Sequence, residues 1–258
     1  MRSRLAVILP TLVASLPSLV WLGSEMTKAA DARWGGLALA LGFGFLVRDV
    51  RGGGPARLGP VLLSLSLHVG LGVAGYRTFA AGAALLALAL ALVPSGTRRP
   101  RPAAAIALVL MGLPVLRDLH YVGGYPLRLV SGELAAGLLR LQGLAVERVG
   151  TGILWGDSLV EVDAPCSGIA MLWTTTLLAL VASAWRRLSV RRTLGTLLLV
   201  PPIVVLANVV RCSALFHLES GRIEAPAWMH DGTGLLFFGL AAGATLHLVG
   251  RRPGEVAR

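Results

Sequence analysis

Apolar runs, each broken by a short polar stretch in which arginine is frequent, set the pattern of this chain. Eight of them read as helices, at about 5–22, 34–47, 58–75, 79–94, 103–117, 166–185, 193–218 and 231–250. Most approach the roughly 20 residues that cross a bilayer. The second and fifth are short for a straight crossing, and tilted, distorted or re-entrant forms of either fit the pattern. The N-terminal stretch has the basic start and apolar middle of a signal peptide. Further spans follow it, so an uncleaved first helix is expected.

One long connection, roughly 118–165, departs from the pattern. Within it "PLRLVSGELAAGLLRLQGLAV" has apolar residues at helical spacing among scattered charges, which predicts an amphipathic helix lying at the interface. Next, "ILW" and "LVEV" flank Gly156-Asp157. Two short β-prone runs around a two-residue turn predict a β-hairpin, which would deliver the chain to Cys166 in a fixed direction. The expected fold is all-α: a polytopic membrane bundle of about eight transmembrane helices, with a short extracytoplasmic amphipathic helix and hairpin before Cys166. The chain reads as a single membrane-embedded domain over 1–258.

Composition supports the membrane class. The chain is 55 % hydrophobic and 14 % charged, with a mean hydropathy of +0.74, too apolar for a water-soluble domain of this length. The 32 glycines and many alanines suit close helix approach in lipid, where packing drives association. A net charge of +11 raises the question of nucleic acid, and position answers it. With the N-terminus inside, the inner segments carry fifteen of the 24 Lys and Arg residues and only two of the thirteen acids, Asp49 and Glu255. Basic residues gather on the cytoplasmic side of membrane proteins, so both ends are expected in the cytoplasm and the basic balance needs no nucleic acid. Two cysteines cannot form a disulfide framework, although a single Cys166–Cys212 bridge stays open.

Candidate chemistry lies in the late spans. Cys166, in "VDAPCSGIA", stands at the lip of the sixth span, where the amides of Ser167 to Ile169 would form a first helical turn able to stabilise a thiolate. Ser167 and Gly168 are small enough to admit a substrate backbone. A buried cysteine acting as a small hydrophobe is the competing account. Arg211 is a charge well inside the seventh span; such a residue is functional by default in a membrane, with snorkelling to the headgroups as the alternative. Asn208, three residues earlier, shares its helical face, and Pro201-Pro202 should kink the same helix. His230 opens the eighth span and can exchange protons near neutral pH; Asp231 beside it is a candidate helix cap. His217 is a rival at the end of the seventh span, and His68, His120 and His247 are weaker candidates. No metal cluster, phosphate-binding glycine loop or GxSxG occurs. The topology places Cys166, Arg211 and His230 on one side, which makes nucleophilic acyl chemistry plausible.

Together "VDAPCSGI", "LANVVR" and "MHDGTG" resemble the exosortase/archaeosortase family, as does the approach "LQGLAVERVGTGILWGDSLVEVDAPCSGI". The resemblance is strong over about 135–245 and is limited to polytopic character over 1–134, so 135–250 would be the catalytic core. It implies a cysteine transpeptidase of the inner membrane, free of cofactors and metal, with an extracytoplasmic site. Its substrates would be exported proteins with a C-terminal sorting tail: a short motif such as Pro-Glu-Pro, a transmembrane helix and a basic cluster. On this resemblance Cys166 is the nucleophile, forming a thioester. Arg211 stabilises the oxyanion or positions the carbonyl, His230 handles protons, and Asn208 is a motif residue with a substrate-side role beside Ser167 and Gly168. The acceptor would be a lipid amine, a glycan-linked amine or water. Glu161, Asp163 and Glu224 make the outer face acidic, which suits a basic partner or simply solvated loops. Other classes stay open: a transporter or flippase with Arg211 holding an anion, a structural subunit of an export or polysaccharide assembly system, or an acyl transferase that cleaves no peptide.

Overall fold

The computed structural model describes residues 2–28, 33–49, 55–94, 102–161, 164–221, 226 and 228–250. Asp163 and Glu224 of the acidic face lie outside the described residues. The described chain folds into helices α1 (Arg2–Lys28), α2 (Arg33–Asp49), α3 (Leu58–Val73), α4 (Arg77–Leu92), α5 (Ala103–Met111), α6 (Leu116–Leu141), α7 (Ile169–Trp185), α8 (Val190–Glu219) and α9 (Trp228–Gly250). Strands β1 (Glu147–Val149), β2 (Gly152–Trp155) and β3 (Ser158–Glu161) lie between α6 and α7.

Every expected span holds a helix, but the count of eight crossings is not met by length. Among the described residues, three helices are long and apolar enough to cross a membrane, at Arg4–Lys28, Val190–Glu219 and Trp228–Gly250. Counting the bent pair α5–α6 as one broken span makes four. The fifth expected span is the largest departure. Its helix stops at Met111, and a separate helix, α6, begins at Leu116. Gly112 and Pro114 explain the stop: glycine favours a helix end, and proline offers no N–H to continue one. The amphipathic segment expected from 126 onward is the second part of α6, which starts ten residues earlier and runs through Pro126. Similarly, α8 is helical through Pro201-Pro202.

The chain divides into two compact units. The first comprises Met1–Leu116 with Leu180–Thr193. Its centre is α4, whose alanines at 80, 81, 83, 84, 87, 89 and 91 are all buried. Side chains this small let α1 and α3 approach α4 closely. In the same unit α2 meets α5 so tightly that a Cβ on Gly42 would stand 2.7 Å from the Val109 amide nitrogen. One end of the unit is tied by polar contacts. Arg187 donates to Asp49 at 2.7 Å, Arg48 donates to the Ala184 carbonyl at 3.0 Å, and Ala56 bridges Pro94.

The second unit comprises Arg117–Ala179 with Leu194–Arg258. α6 buries Gly124, Ser131, Gly132, Ala135, Ala136 and Leu139, a stripe at helical spacing. Its exposed Glu133 accepts from Arg148 at 2.7 Å and Arg140 at 3.4 Å, which fastens β1 to the helix. The expected hairpin is present: β2 pairs with β3 antiparallel, Ile153 opposite Val160 and Trp155 opposite Ser158. Gly156 has φ +59°, the left-handed conformation that a two-residue hairpin turn requires. β1 adds a third strand that the sequence pattern did not reveal. Ile153, Val146 and Leu139 join Val209, Cys212, Leu215 and Phe216 of α8 in one apolar core. Farther along α8, Val200 and Val204 pack with Met171, Ala179 and Ala241.

Candidate functional site

Cys166 sits in a one-turn 3-10 helix, Ala164–Ser167, ahead of α7. The expectation that it heads the helix itself needs correcting. Gly168 separates the two: its carbonyl accepts the Leu172 amide at 2.8 Å, so it caps α7, and its φ is +80°. Glycine is required there twice over. A side chain is strained in the left-handed region, and a Cβ would lie 3.1 Å from Asn208 Cγ. Ser167 is buried, and its Oγ accepts from the Ile169 amide at 3.4 Å, a local turn contact.

The turn is held to α8 by Asn208. This side chain is 1 % exposed. Its Nδ2 donates to the Cys166 carbonyl at 2.9 Å and to Ser131 Oγ at 3.0 Å. The amide orientation is fixed chemically, because a carbonyl only accepts and so must face the NH2 group. The remaining Oδ1 is buried and accepts no hydrogen bond among the described residues. Cys212, one turn beyond Asn208, places its thiol 3.9 Å from the same Cys166 carbonyl. Both cysteines are buried thiols with no disulfide between them, which answers the question of a bridge.

A cleft of about 20 Å³ opens beside these thiols, lined by Cys166, Cys212, Leu215 and Glu219 with Ile153, Val160 and Glu161 of the hairpin. Asn208, Cys212, Leu215 and Glu219 recur at three- and four-residue steps, so they share one face of α8. Glu219 reaches His230 of α9, Oε1 to Nε2 at 3.4 Å. The other ring nitrogen, Nδ1, lies 3.5 Å from Asp231. Asp231 is not the cap of α9, since it stands inside the first turn, where its charge suits the helix dipole.

Arg211 is turned toward α9. Its Nε and Nη2 lie 3.5 Å from the point a Gly234 Cβ would occupy. Gly234 is one turn after His230, on the same face of α9, so Arg211 and His230 address one side of that helix. Neither lines the small cleft, however, which Cys166 shares with Glu219. The structure thus brings Cys166, Asn208 and Gly168 into direct contact, and joins His230 to their cleft through Glu219.

Of the other histidines, His217 pairs with Gln142 at 2.9 Å and His68 belongs to the first unit. His120 is near the start of α6 and His247 near the far end of α9. Sequence reasoning missed Glu219, Cys212 and Ser131 as members of the site. The first two carried a signal, their shared face with Asn208; Ser131 carried none. Among the described residues, no group of three or more His, Cys, Asp or Glu could hold a metal ion.

The model of the transmembrane exosortase family matches residues 4–246, nearly the whole chain. Comparison with curated proteins and with solved structures gives no match.

Proposed function

Because the chain belongs to the transmembrane exosortase family, we propose that it is a cysteine peptidase or transpeptidase that cuts a C-terminal sorting tail from exported proteins. The observation that carries this reading is the cleft at Cys166. Its thiol-bearing turn is clamped by Asn208, and the same cleft holds Glu219, whose carboxylate reaches His230.

In the proposed reaction the tail's motif lies across the cleft. The Cys166 thiol gives its proton to His230, and the sulfur attacks the scissile carbonyl. Arg211 donates to the oxyanion; one such fixed donor is worth roughly 3–4 kcal/mol. The C–N bond then breaks, the leaving amine takes the proton from His230, and a thioester remains on Cys166. A lipid amine, a glycan-linked amine or water attacks the thioester carbonyl while His230 takes its proton; the C–S bond breaks, the product leaves, and the Cys166 sulfur regains the proton from His230. Glu219 serves as the positioning residue for His230, because a carboxylate 3.4 Å from Nε2 favours one ring orientation.

Size adds one requirement. A cleft of about 20 Å³ holds about one water, so a peptide enters only when β3, with Val160 and Glu161, shifts from the thiol. The reading places the cleft on the extracytoplasmic side and the arginine-rich connections inside. The Asp49–Arg187 pair and the Ala56–Pro94 bridge support the second half, since they gather in one unit the ends of segments counted as inner.

The test is to express the chain with exported proteins bearing such tails and read their C-termini by mass spectrometry. Wild type should yield a new C-terminus, and Cys166→Ala should leave the tail intact while still inserting. Normal processing by that variant would end the assignment of Cys166 as nucleophile.

A further inference from the structure

The first unit contains a second, larger cavity. A groove of about 530 Å³ runs between α1, α3 and α4. Its walls are mostly apolar, with Pro17 and Trp21 from α1 and Val69 and Val73 from α3; Ser18 and His68 are polar members, and Arg77 is the charged residue of its lining. Arg77 begins α4, is exposed, and forms no ion pair among the described residues. The residue before it, Tyr76, gives α4 no side-chain cap. Arg77 thus brings a positive charge to a helix start, and both favour a negative group. Tyr76 and Phe79, both well exposed, stack edge-on at 6.4 Å beside it, and aromatic side chains of this kind collect at the level of lipid headgroups.

The groove is built, not a gap left by loose packing. His68 is buried at its wall and ties three helices together. Its Nδ1 lies 3.0 Å from the Ala80 carbonyl and 3.4 Å from Ser18 Oγ, and its Nε2 lies 3.3 Å from the Ala14 carbonyl. Ser64 of α3 donates to Ala83 of α4 at 2.8 Å. These bonds hold the walls apart at a fixed spacing.

We propose that this groove binds an anionic phospholipid, with the phosphate on Arg77 and an acyl chain along Val69, Val73 and Trp21. Charge and volume select this occupant. The lining contains no acidic residue, so the guanidinium is available to a phosphate. The volume lies within the roughly 300–1,000 Å³ of small-ligand sites. A transmembrane helix of 18 residues, about 10 Å across and 27 Å long, fills on the order of 2,000 Å³, so the sorting helix of a substrate does not fit. The site is separate from the Cys166 cleft, and the proposal stands whether or not the peptidase reading does.

The test uses the full chain purified in detergent and titrated with dioleoyl phosphatidylglycerol, dioleoyl phosphatidylcholine or inorganic phosphate. Thermal stability and native mass spectrometry are the readouts. Phosphatidylglycerol should raise the melting temperature and be retained as a discrete adduct; phosphatidylcholine and phosphate should do neither to the same degree. Arg77→Gln should weaken phosphatidylglycerol binding about fivefold, the loss expected for one cation at an anionic lipid, and Arg77→Lys should restore most of it. Gly72→Leu should block the groove, because a Cβ at Gly72 meets nothing within 4 Å and the side chain can extend into the space. Equal binding of the two lipids overturns the proposal. So does undiminished phosphatidylglycerol binding by both Arg77→Gln and Gly72→Leu, or stabilisation by phosphate alone.

Discussion

Asn208 donates to the backbone carbonyl of Cys166 across 2.9 Å, although the two residues lie 42 positions apart. The contact fixes the main chain under the thiol rather than the thiol itself. The turn that carries the sulfur is thereby tied to α8. Asn208→Ala would leave that carbonyl and Ser131 Oγ without their shared donor, at a cost of about 1–3 kcal/mol for unpaired buried groups. Asn208→Asp should be worse for activity. Ser131 can reverse its bond and donate to a carboxylate, but the Cys166 carbonyl would face a second acceptor. Thermal unfolding and tail processing of the two variants, measured together, check this. Full activity in the Asp variant would remove the clamp from the mechanism.

Gly168→Ala tests the same junction from the other side. The left-handed backbone costs roughly 1–2 kcal/mol for an alanine, and the new methyl group would press on Asn208. The expected outcome is a folded but less stable protein whose tail processing falls further than its stability. A variant with unchanged melting temperature and processing would mean that the turn relaxes freely.

The Glu219–His230 contact separates positioning from chemistry. His230→Ala should lower kcat by about 10²–10⁴-fold, the range for a general acid–base group. Glu219→Gln keeps a hydrogen-bonding group in place but loses the carboxylate, so it should lower kcat by roughly tenfold, leave KM near the wild-type value and shift the pH–rate profile. Glu219→Asp, which keeps the charge on a shorter arm, should recover part of the loss. Identical pH profiles for wild type and Glu219→Gln would remove Glu219 from the site.

Arg211 offers a variant that leaves the arginine itself intact. A Gly234→Leu side chain would enter the space against Nε and Nη2 and push the guanidinium aside. Loss of one oxyanion donor costs about 10²–10³-fold in kcat, and Gly234→Leu should approach that figure. Gly234→Ala, whose methyl carbon sits at ordinary contact distance, should stay near wild type. Arg211→Lys should also fail if the planar fork is needed. Equal activity in Gly234→Leu and Gly234→Ala would argue against a fixed guanidinium.

Cys212→Ser distinguishes the two thiols. It keeps a small donor near the Cys166 carbonyl and should retain processing, whereas Cys166→Ser should abolish it. The reverse result would move the nucleophile to α8.

Local features of this molecule were legible because they are set by neighbours in sequence. Gly156-Asp157 between two β-prone runs announces a hairpin, since a glycine readily takes the positive φ that so short a turn needs at its first position. The apolar runs announce helices for the same reason. The short α5 was legible only in part: Gly112 and Pro114 are stop signals, yet the apolar run continues past them and hides the break. Contacts across the fold are another matter. Ser131 meets Asn208 over 77 positions, and nothing near either residue marks the partnership. Glu219 looks like any acid at a helix end until its step from Asn208 and Cys212 is followed around α8. Ser-Gly-Ile reads as a first turn and puts Cys166 at a helix start, whereas the left-handed Gly168 splits off a turn of its own.

The burial of Cys166, at 6 % exposed, turns the thiol into a clock for its own cover. On the proposed reading β3 is that cover, and a maleimide or iodoacetamide reaches the sulfur when it stands away, so labelling speed should count openings rather than intrinsic nucleophilicity. A disulfide staple engineered between β3 and α8 would then silence labelling and catalysis by the same factor, and a reductant would release both at once.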